Sequence, residues 1–221
     1  MARWLLVGAL GAETSPLVAA LERARPRGLR LVAGRLHGHE VAVLTCGVGP
    51  DKAGRRIAAA LAAWRPQRVL NLGTCGALVD ELAIGDLLHG DRILDDQGHV
   101  GATAPLGQPA GAIVTVRAGV WDPQTRATLA ARGALACEME AAAVLRACQA
   151  VGLPLAVLKV VSDQAGGAPD AALPARAGDR PGPVDIAIFQ ARALRLVHQR
   201  LVPRLPELLG TAGPASSPEP R

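Results

Sequence analysis

The segment Cys137-Glu138-Met139-Glu140-Ala141-Ala142-Ala143, followed one apolar strand later by Val161-Ser162-Asp163, is the most informative part of the chain. Its two glutamates open an alanine-rich helix, whereas Leu155 to Val161 predicts a buried strand that delivers Asp163 at its carboxyl end. Open α/β sheets bind their ligands at the carboxyl ends of their strands. Acidic side chains in such apolar surroundings therefore predict one site built from two elements.

Length and composition limit the fold class. The chain has 221 residues, half of them hydrophobic, and it lacks the run of about 18 apolar residues that would cross a membrane. These features predict a single domain over residues 1–205 and no membrane contact. Residues 206–221 are rich in Pro, Ser and Gly and are expected to form a disordered tail.

The charge distribution argues against nucleic acid as a partner. Lys and Arg number 24 against 19 Asp and Glu, which gives a net charge of +5, but the arginines are scattered among alanines and prolines. No basic stripe is interleaved with aromatic residues, and the chain has no Tyr and only one Phe. We expect no nucleic-acid binding.

The four cysteines are Cys46, Cys75, Cys137 and Cys148, and no pair of them has CxxC spacing. They lie in apolar or glycine-rich segments, which is typical of buried free thiols in a reducing cytoplasm. We therefore expect a cytoplasmic protein without a metal site, and no cofactor is indicated.

Strand and helix patterns alternate along the chain, which predicts an α/β domain with a central mixed twisted sheet flanked by helices. The predicted strands cover 4–10, 30–35, 40–45, 68–72, 85–94, 113–116, 134–137 and 155–161. The predicted helices cover 15–24, 53–64, 123–132, 140–151 and 184–201. Residues 95–111 and 164–183 are predicted as loops. The apolar stretch 4–10 is too short for a signal peptide and is expected to be a buried strand.

Polar and glycine-rich segments stand at the ends of the predicted strands: Glu13, Gly47-Val48-Gly49, Gly73-Thr74-Cys75-Gly76 and Asp163. Glycines at such junctions let the backbone approach a ligand and expose its N–H groups. One glycine turn alone is a weak signal, since tight turns use glycine for conformational reasons. The combination indicates a ligand site.

Five segments in this order resemble the nucleoside phosphorylase and nucleosidase superfamily, and the methylthioadenosine/S-adenosylhomocysteine nucleosidases most closely. They are residues 8–13, Cys46 to Gly49, Asn71 to Leu78 with Ile84-Gly85-Asp86 following, Glu138 to Ala143, and Val161 to Asp163. The resemblance covers most of residues 3–205. It implies a nucleoside phosphorylase-like fold, a purine nucleoside as substrate, cleavage of its N-glycosidic bond, and a homodimer or larger assembly.

The resemblance also implies residue roles. Asp163 would donate a proton to the purine N7, and Glu140 would accept hydrogen bonds from the ribose hydroxyls. Met139 would pack on the sugar, while Thr74 and the Gly76 backbone would line the ribose and the water site. Ser162, next to Asp163, is a further substrate-binding candidate, although it could be only a turn residue.

Glu13 and Asn71 bear on the choice between hydrolysis and phosphorolysis. Phosphorylases of the superfamily carry an arginine where this chain has Asn71, because a phosphate dianion suits a guanidinium fork. Hydrolases lack that arginine and place a glutamate where Glu13 stands, to take a proton from water. The chain therefore resembles the hydrolases.

Other interpretations of these residues stay open at this point. Glu13 alone could be a solvated residue of a first helical turn, where acids are favoured by the helix dipole. Glu140 could pair with Arg146, and Trp121 could stack on a base or, as we favour, fill the core. The chain could also be a phosphorylase with a relocated phosphate site at Arg55 or Arg117. Finally, it could be a nucleoside-binding protein without turnover.

Two departures from the typical nucleosidase concern the substrate. Gly11 and Ala12, rather than acidic residues, precede Glu13, and the segment from Asp95 to Trp121 is short and has no Phe or Tyr. A more open pocket for the 5′-group would suit a larger substituent, such as that of futalosine or an adenosylated lipid.

Overall fold

The computed structural model describes residues 1–28, 30–106, 109–165 and 183–210. Its strands are β1 (Arg3–Gly8), β2 (Glu22–Pro26), β3 (Leu31–Leu36), β4 (His39–Thr45), β5 (Arg68–Ala77), β6 (Leu87–Asp95), β7 (Gly98–Ala102), β8 (Ala110–Thr115), β9 (Ala134–Glu138) and β10 (Leu155–Asp163). Its α-helices are α1 (Gly11–Ala19), α2 (Pro50–Trp64), α3 (Pro123–Ala131), α4 (Ala141–Gln149), α5 (Pro183–Leu196) and α6 (Leu205–Gly210). A π-helical turn (Val197–Leu201) and a 3-10 turn (Val202–Arg204) join α5 to α6.

The strands form one mixed sheet of ten strands, which confirms the predicted α/β class. Its order is β10-β6-β8-β9-β5-β1-β4-β3-β2, and β7 pairs with β6. Strand β5 also pairs with β10, so that β10, β6, β8, β9 and β5 close into a ring. The stretch predicted as a first buried strand is β1, which lies between β4 and β5 and is buried from Trp4 to Gly8.

The pairing of β5 brings distant segments together at its carboxyl end. Asp163 of β10 lies opposite Gly76 after a bulge that follows Val161, and Cys137 of β9 lies opposite Gly76 on the other side. Because residues two apart point to the same face of a strand, Thr74 and Gly76 lie on one face of β5, and Gly76 is paired with a strand on either side. This register creates the meeting point of the signature segments.

Apolar side chains cover both faces of the sheet. On one face, α2 and α4 pack with Ile57, Leu61, Val144 and Leu145 against β-strand residues such as Val157. On the other face, α1, α5 and the turns after it contribute Leu17, Leu196, Val197, Leu201 and Leu208. Alanines dominate the start of α4, where Ala141 and Ala142 are almost fully buried, so that this helix approaches the sheet closely.

Two predicted elements are wrong in the outer part of the sheet. The helix predicted over 15–24 begins at Gly11 and ends at Ala19, and β2 (Glu22–Pro26) follows it. All five residues of β2 are exposed, so no alternation of apolar and polar residues marked this edge strand. The loop predicted over 95–111 contains β7 and the start of β8, since a Gly-rich edge hairpin has the composition of a loop.

Three further boundaries differ from the prediction, two of them near the site and one at the C-terminal helix. Residues 73–76 lie inside β5 and form no turn. Glu138 ends β9, and α4 begins only after Glu140, so the two glutamates do not both open the helix. The disorder predicted from residue 206 is wrong up to Gly210, because α6 extends to this residue and buries Leu208 and Leu209. The rest of the predicted tail, 211–221, and most of the predicted loop 164–183 lie outside the described residues.

The described residues bear on two further expectations. Cys46, Cys75, Cys137 and Cys148 are free and buried, as predicted. None of the helices in the described ranges is long and apolar enough to cross a membrane.

Candidate functional site

One cavity lies at the carboxyl ends of β5, β9 and β10. All seven predicted site residues line it: Glu13, Thr74, Gly76, Met139, Glu140, Ser162 and Asp163. They come from α1, β5, the β9–α4 junction and β10, which are far apart in the sequence. The fold therefore brings the predicted residues together. We call Glu13, Glu138 and Glu140 the glutamate cluster, and Asp163 with Arg126 the aspartate pair.

Glu13 is fixed by four hydrogen bonds. Its Oε2 accepts from the backbone N–H groups of Ala9 and Leu10 at 2.9 and 3.1 Å. Its Oε1 accepts from the backbone N–H and the hydroxyl of Thr74 at 2.8 and 2.9 Å. Glu13 is in the first turn of α1, as the simpler interpretation proposed, but it is only 4% exposed and thus is not solvated.

Gly73 explains how Glu13 can approach β5 so closely. A Cβ atom at this position would lie 2.7 Å from Glu13 Oε1, and the residue has a φ of +147°, which disfavours other residues. The glycine that appeared to mark a turn therefore makes room for a carboxylate.

Glu138 organises the start of α4. Its carboxylate accepts from the backbone N–H groups of Glu140 and Ala141 at 3.0 and 2.9 Å, and from the Thr115 hydroxyl at 2.6 Å. It also forms an ion pair of 3.1 Å with Lys159, and the side chains of both partners are at most 3% exposed. Glu138 therefore has a buried supporting role, with Lys159 as the partner that the sequence analysis missed.

Glu140 is the least compensated carboxyl of the cluster. Its Oε1 accepts from the Gly49 backbone N–H at 2.8 Å, whereas Arg146 pairs with Asp95 instead. Burial, followed by the negative charge of Glu138, raises the pKa of Glu140 to about 8, although Lys159 acts in the opposite direction. The raised pKa favours the protonated form of this carboxyl, which can donate as well as accept a hydrogen bond.

Lys159 stands beneath the glutamate cluster in the middle of β10. Burial alone would lower its pKa, but the charges of Glu138, Glu140 and Glu13 outweigh burial and raise it above the usual range. Its ammonium group therefore stays charged and compensates part of the negative charge of the cluster. The position of this lysine inside an otherwise apolar strand was the signal from which its role could have been predicted.

Asp163 is engaged at both oxygens. Ser162 donates its hydroxyl to Oδ1 at 2.8 Å, and Arg126 Nη2 donates to Oδ2. Ser162 is buried in β10 and is therefore no turn residue. Gly76 leaves room for the carboxylate, because a Cβ atom there would lie 2.8 Å from Asp163 Oδ2.

Arg126 of α3 is the main site residue that the sequence analysis missed. It is 6% exposed, and its guanidinium also donates to the carbonyl oxygens of Ala77, Gln164 and Val120 at 2.9, 3.0 and 3.2 Å. In the sequence it stands among many scattered arginines, and nothing local distinguishes it. Arg126 is 37 residues from Asp163 in the sequence, and it becomes the partner of Asp163 because α3 packs against β9.

Apolar side chains close the remaining walls. Trp121 is half-buried and lines the cavity, which contradicts the preferred interpretation of a core residue. Phe189 of α5 and Val48 of the glycine loop line it as well. Trp121 and Phe189 provide aromatic surfaces on which a planar ring could stack.

The cavity offers no other strongly nucleophilic or cationic group among the described residues. Burial raises the pKa of Cys137 to about 12 and that of Cys75 well above its ordinary value, so both thiols remain protonated. Arg55 and Arg117, the arginines considered for a relocated phosphate site, do not line it, and Arg126 is its one arginine within the described ranges. Asn71 is buried in β5 and donates to the Val7 carbonyl oxygen at 3.0 Å.

The comparison with known families agrees with this geometry. The family model of the phosphorylase superfamily matches residues 3–129 and 105–180. The chain belongs to this superfamily. A 5′-methylthioadenosine/S-adenosylhomocysteine nucleosidase from Shewanella sp. (strain W3-18-1) is 30% identical over 196 residues, which span 72% of this chain and 85% of that protein. The resemblance stated from the sequence is thus confirmed.

Solved structures of superfamily members have the same fold. A Helicobacter pylori 5′-methylthioadenosine/S-adenosylhomocysteine nucleosidase mutant with 5′-methylthioadenosine in the active site matches with a TM-score of 0.76 at 21% identity, over 94% of this chain and 100% of that one. The futalosine hydrolase of Helicobacter pylori strain 26695 matches with a TM-score of 0.71 at 22% identity, over 94% and 98%. At these identities the likeness concerns the fold.

Proposed function

We propose that the protein is a purine nucleoside N-ribosyl hydrolase that cleaves a 5′-modified purine nucleoside such as methylthioadenosine or adenosylhomocysteine. The observation that carries this proposal is the placement of a fixed carboxylate, Glu13, and a second acid, Asp163, around one cavity. Glu13 is bound at Thr74 and Asp163 lies over Gly76, two residues further along β5. Two residues of a strand span about 6–7 Å, which suits groups acting on opposite sides of a glycosidic bond.

The proposed reaction uses both acids. Glu13 takes a proton from water as the water oxygen bonds to C1′ of the ribose, and the bond between C1′ and N9 breaks. The electron pair of that bond leaves with the base, which receives a proton at N7 from Asp163. The products are the free base and the free sugar.

Glu140 and Met139 hold the sugar in this proposal. In its protonated form, Glu140 can donate to one ribose hydroxyl and accept from the other. In its ionised form, it accepts from both, and its negative charge stabilises a ribosyl cation. Met139 lines the cavity next to it and packs on the apolar face of the sugar. The Thr74 hydroxyl donates to Glu13, and its oxygen accepts a hydrogen bond from the water.

A phosphate-dependent phosphorylase is the main alternative, and a binding protein without turnover is another. Asn71 supports hydrolysis, since its amide is engaged with the Val7 carbonyl and offers no positive charge. The acids at Glu13 and Asp163 support turnover, because binding alone does not need a proton donor.

The experiment that tests the proposal is chromatography of free base released from methylthioadenosine, adenosylhomocysteine, adenosine, inosine and futalosine, each with and without phosphate. Release of base and free sugar without phosphate is expected. Release only with phosphate, yielding a sugar phosphate, would establish a phosphorylase. Binding of these nucleosides without any release would support the binding protein.

The assembly and location follow as expectations of the same proposal. Ile186, Ile188 and Leu194 of α5 are more than 40% exposed, which supports a homodimer that covers apolar side chains. The four free thiols support a cytoplasmic location. Sedimentation equilibrium of the full chain tests the first expectation, and fractionation of cells that express it tests the second.

A further inference from the structure

Arg126 is a built-in hydrogen-bond donor in the region where the proposed function places the base. A guanidinium has five N–H groups in a fixed fork. Within the described residues, Nε donates to Val120, Nη1 to Ala77 and Gln164, and Nη2 to Asp163. One N–H of Nη2 is thus left without an acceptor in the described ranges, and Arg126 lines the cavity.

The free donor belongs to the same nitrogen that contacts the proposed acid. On a purine, N7 and the 6-substituent are neighbours on one edge, and an arginine spans both when the 6-substituent is an oxygen. An acid placed at N7 therefore puts its partner Nη2 next to the 6-position. At that position, a 6-oxopurine presents an acceptor and adenine presents an amino donor.

We propose that Arg126 reads the 6-position of the base and that the site prefers 6-oxopurine nucleosides to 6-aminopurine nucleosides. This inference rests on the proposed function. Within the 5′-modified purine nucleosides of that function, it ranks 6-oxo members above methylthioadenosine and adenosylhomocysteine, because a guanidinium N–H and an amino N–H are both donors. An adenine N6–H would face the remaining N–H of Nη2, so that two donors oppose each other, whereas the O6 of a 6-oxopurine would accept from it.

Arg126 also favours departure of a 6-oxopurine. When the glycosidic bond breaks, negative charge develops on the base and reaches O6 as well as N7. A charged donor at O6 stabilises that charge more than it stabilises the neutral substrate. The preference is therefore expected in kcat/KM, and a bound free base should show it as well.

The first test uses the unmodified protein and pairs of nucleosides that differ only at C6. The pairs are adenosine with inosine, methylthioadenosine with methylthioinosine, and futalosine with its 6-amino counterpart. The 6-oxo member of each cleaved pair should have a kcat/KM about 10- to 100-fold higher. Equal values, or higher values for the 6-amino member, would overturn the inference.

A variant pair assigns the preference to Arg126. In Arg126→Gln the preference should fall to within about threefold, because a glutamine amide can donate to O6 or accept from an amino group. Arg200→Gln is the matched control, since Arg200 also donates to a backbone carbonyl, that of Gly85, but does not line the cavity. An unchanged preference in Arg126→Gln, or an equal loss in the control, would contradict the assignment.

Binding of the free bases keeps this inference separate from the proposed function. Isothermal titration of the unmodified protein with hypoxanthine and with adenine needs neither turnover nor a folded variant. Tighter binding of hypoxanthine without cleavage of any nucleoside would support the role of Arg126 and contradict the hydrolase. Cleavage of nucleosides with tighter binding of adenine would support the hydrolase and contradict this inference.

Discussion

The glutamate cluster and the aspartate pair both contain buried carboxyl groups, but the groups that donate hydrogen bonds to them differ. Glu13 and Glu138 accept mainly from backbone N–H groups, including those of Leu10 and Ala141, which lie three residues away in the sequence. Asp163 accepts from two side chains, one of them Arg126 on another helix. Backbone N–H groups therefore satisfy most of the glutamate cluster, whereas side chains satisfy the aspartate pair.

This difference affects what each end of the cavity can do. Backbone donors are held by the fold and cannot release their carboxylates easily, which suits groups that must keep a fixed position. The Arg126 side chain carries a full charge, and its remaining N–H lies at the cavity, so the aspartate pair can contact a base that binds there. We infer that the glutamate cluster supplies a rigid frame and that the aspartate pair responds to the substrate.

The largest expected effects are losses of activity in variants of Asp163 and Glu13, which lie at the two ends of the cavity. Asp163→Asn should reduce release of purine from a cleaved nucleoside by about 10²- to 10⁴-fold, because a neutral amide cannot protonate N7. Glu13→Gln should reduce it comparably while ligand binding is retained. Steady-state kinetics measures the first result and calorimetry the second.

A riboside with p-nitrophenolate as its leaving group sharpens this comparison, since that group leaves without a proton. Asp163→Asn should cleave it about as fast as the unmodified protein does, whereas Glu13→Gln should not. Equal losses on both substrates in Asp163→Asn would remove this residue from the role of the acid.

The next effect concerns the stability of the glutamate cluster. Lys159→Met leaves the Glu138 carboxylate buried without its cation, which should lower the free energy of unfolding by about 3–5 kcal/mol. Urea denaturation measures it. Glu40→Gln is the control, because the Arg3–Glu40 pair is about 40% exposed on both sides and contributes less than about 1 kcal/mol. A loss in Lys159→Met no larger than that of the control would show that Glu138 is compensated by its other partners.

The smallest expected effect is a pH dependence of protein stability that arises from Glu140 of the glutamate cluster. Since the pKa of Glu140 is about 8 in the folded protein and ordinarily 4.5, the folded state binds more protons between these values. Stability from this group is therefore lost as pH rises from about 5 to 8.5. Over this range the melting temperature of the unmodified protein should fall by at least roughly 2–4 °C more than that of Glu140→Gln, equivalent to about 1 kcal/mol.

The difference between the two profiles isolates Glu140. Burial lowers the pKa of His89, which adds stability as pH rises, but this contribution is the same in both proteins. Thermal melts at pH 5, 6, 7 and 8.5 suffice, with Glu40→Gln expected to follow the unmodified protein. Parallel profiles for Glu140→Gln and the unmodified protein would show that Glu140 carries no proton at neutral pH.

Much of the architecture followed from the sequence, and the failures have a common cause. Strands with buried runs, such as β1 and β10, and helices with apolar faces, such as α2 and α4, were predicted because burial leaves a periodic pattern. The exposed edge strand β2 and the glycine-rich β7 have no such pattern. Their pairing with a neighbouring strand decides their structure.

The sequence by itself determined which acids meet, because each stands next to a strand end and strand ends of one sheet converge. The sequence therefore predicted that Glu13, Glu140 and Asp163 belong to one site, and they line one cavity. Only the tertiary structure decided their partners. Lys159 beneath Glu138 and Arg126 beside Asp163 depend on strand register and on the packing of α3, and long side chains reach their acids across distances that no local motif records.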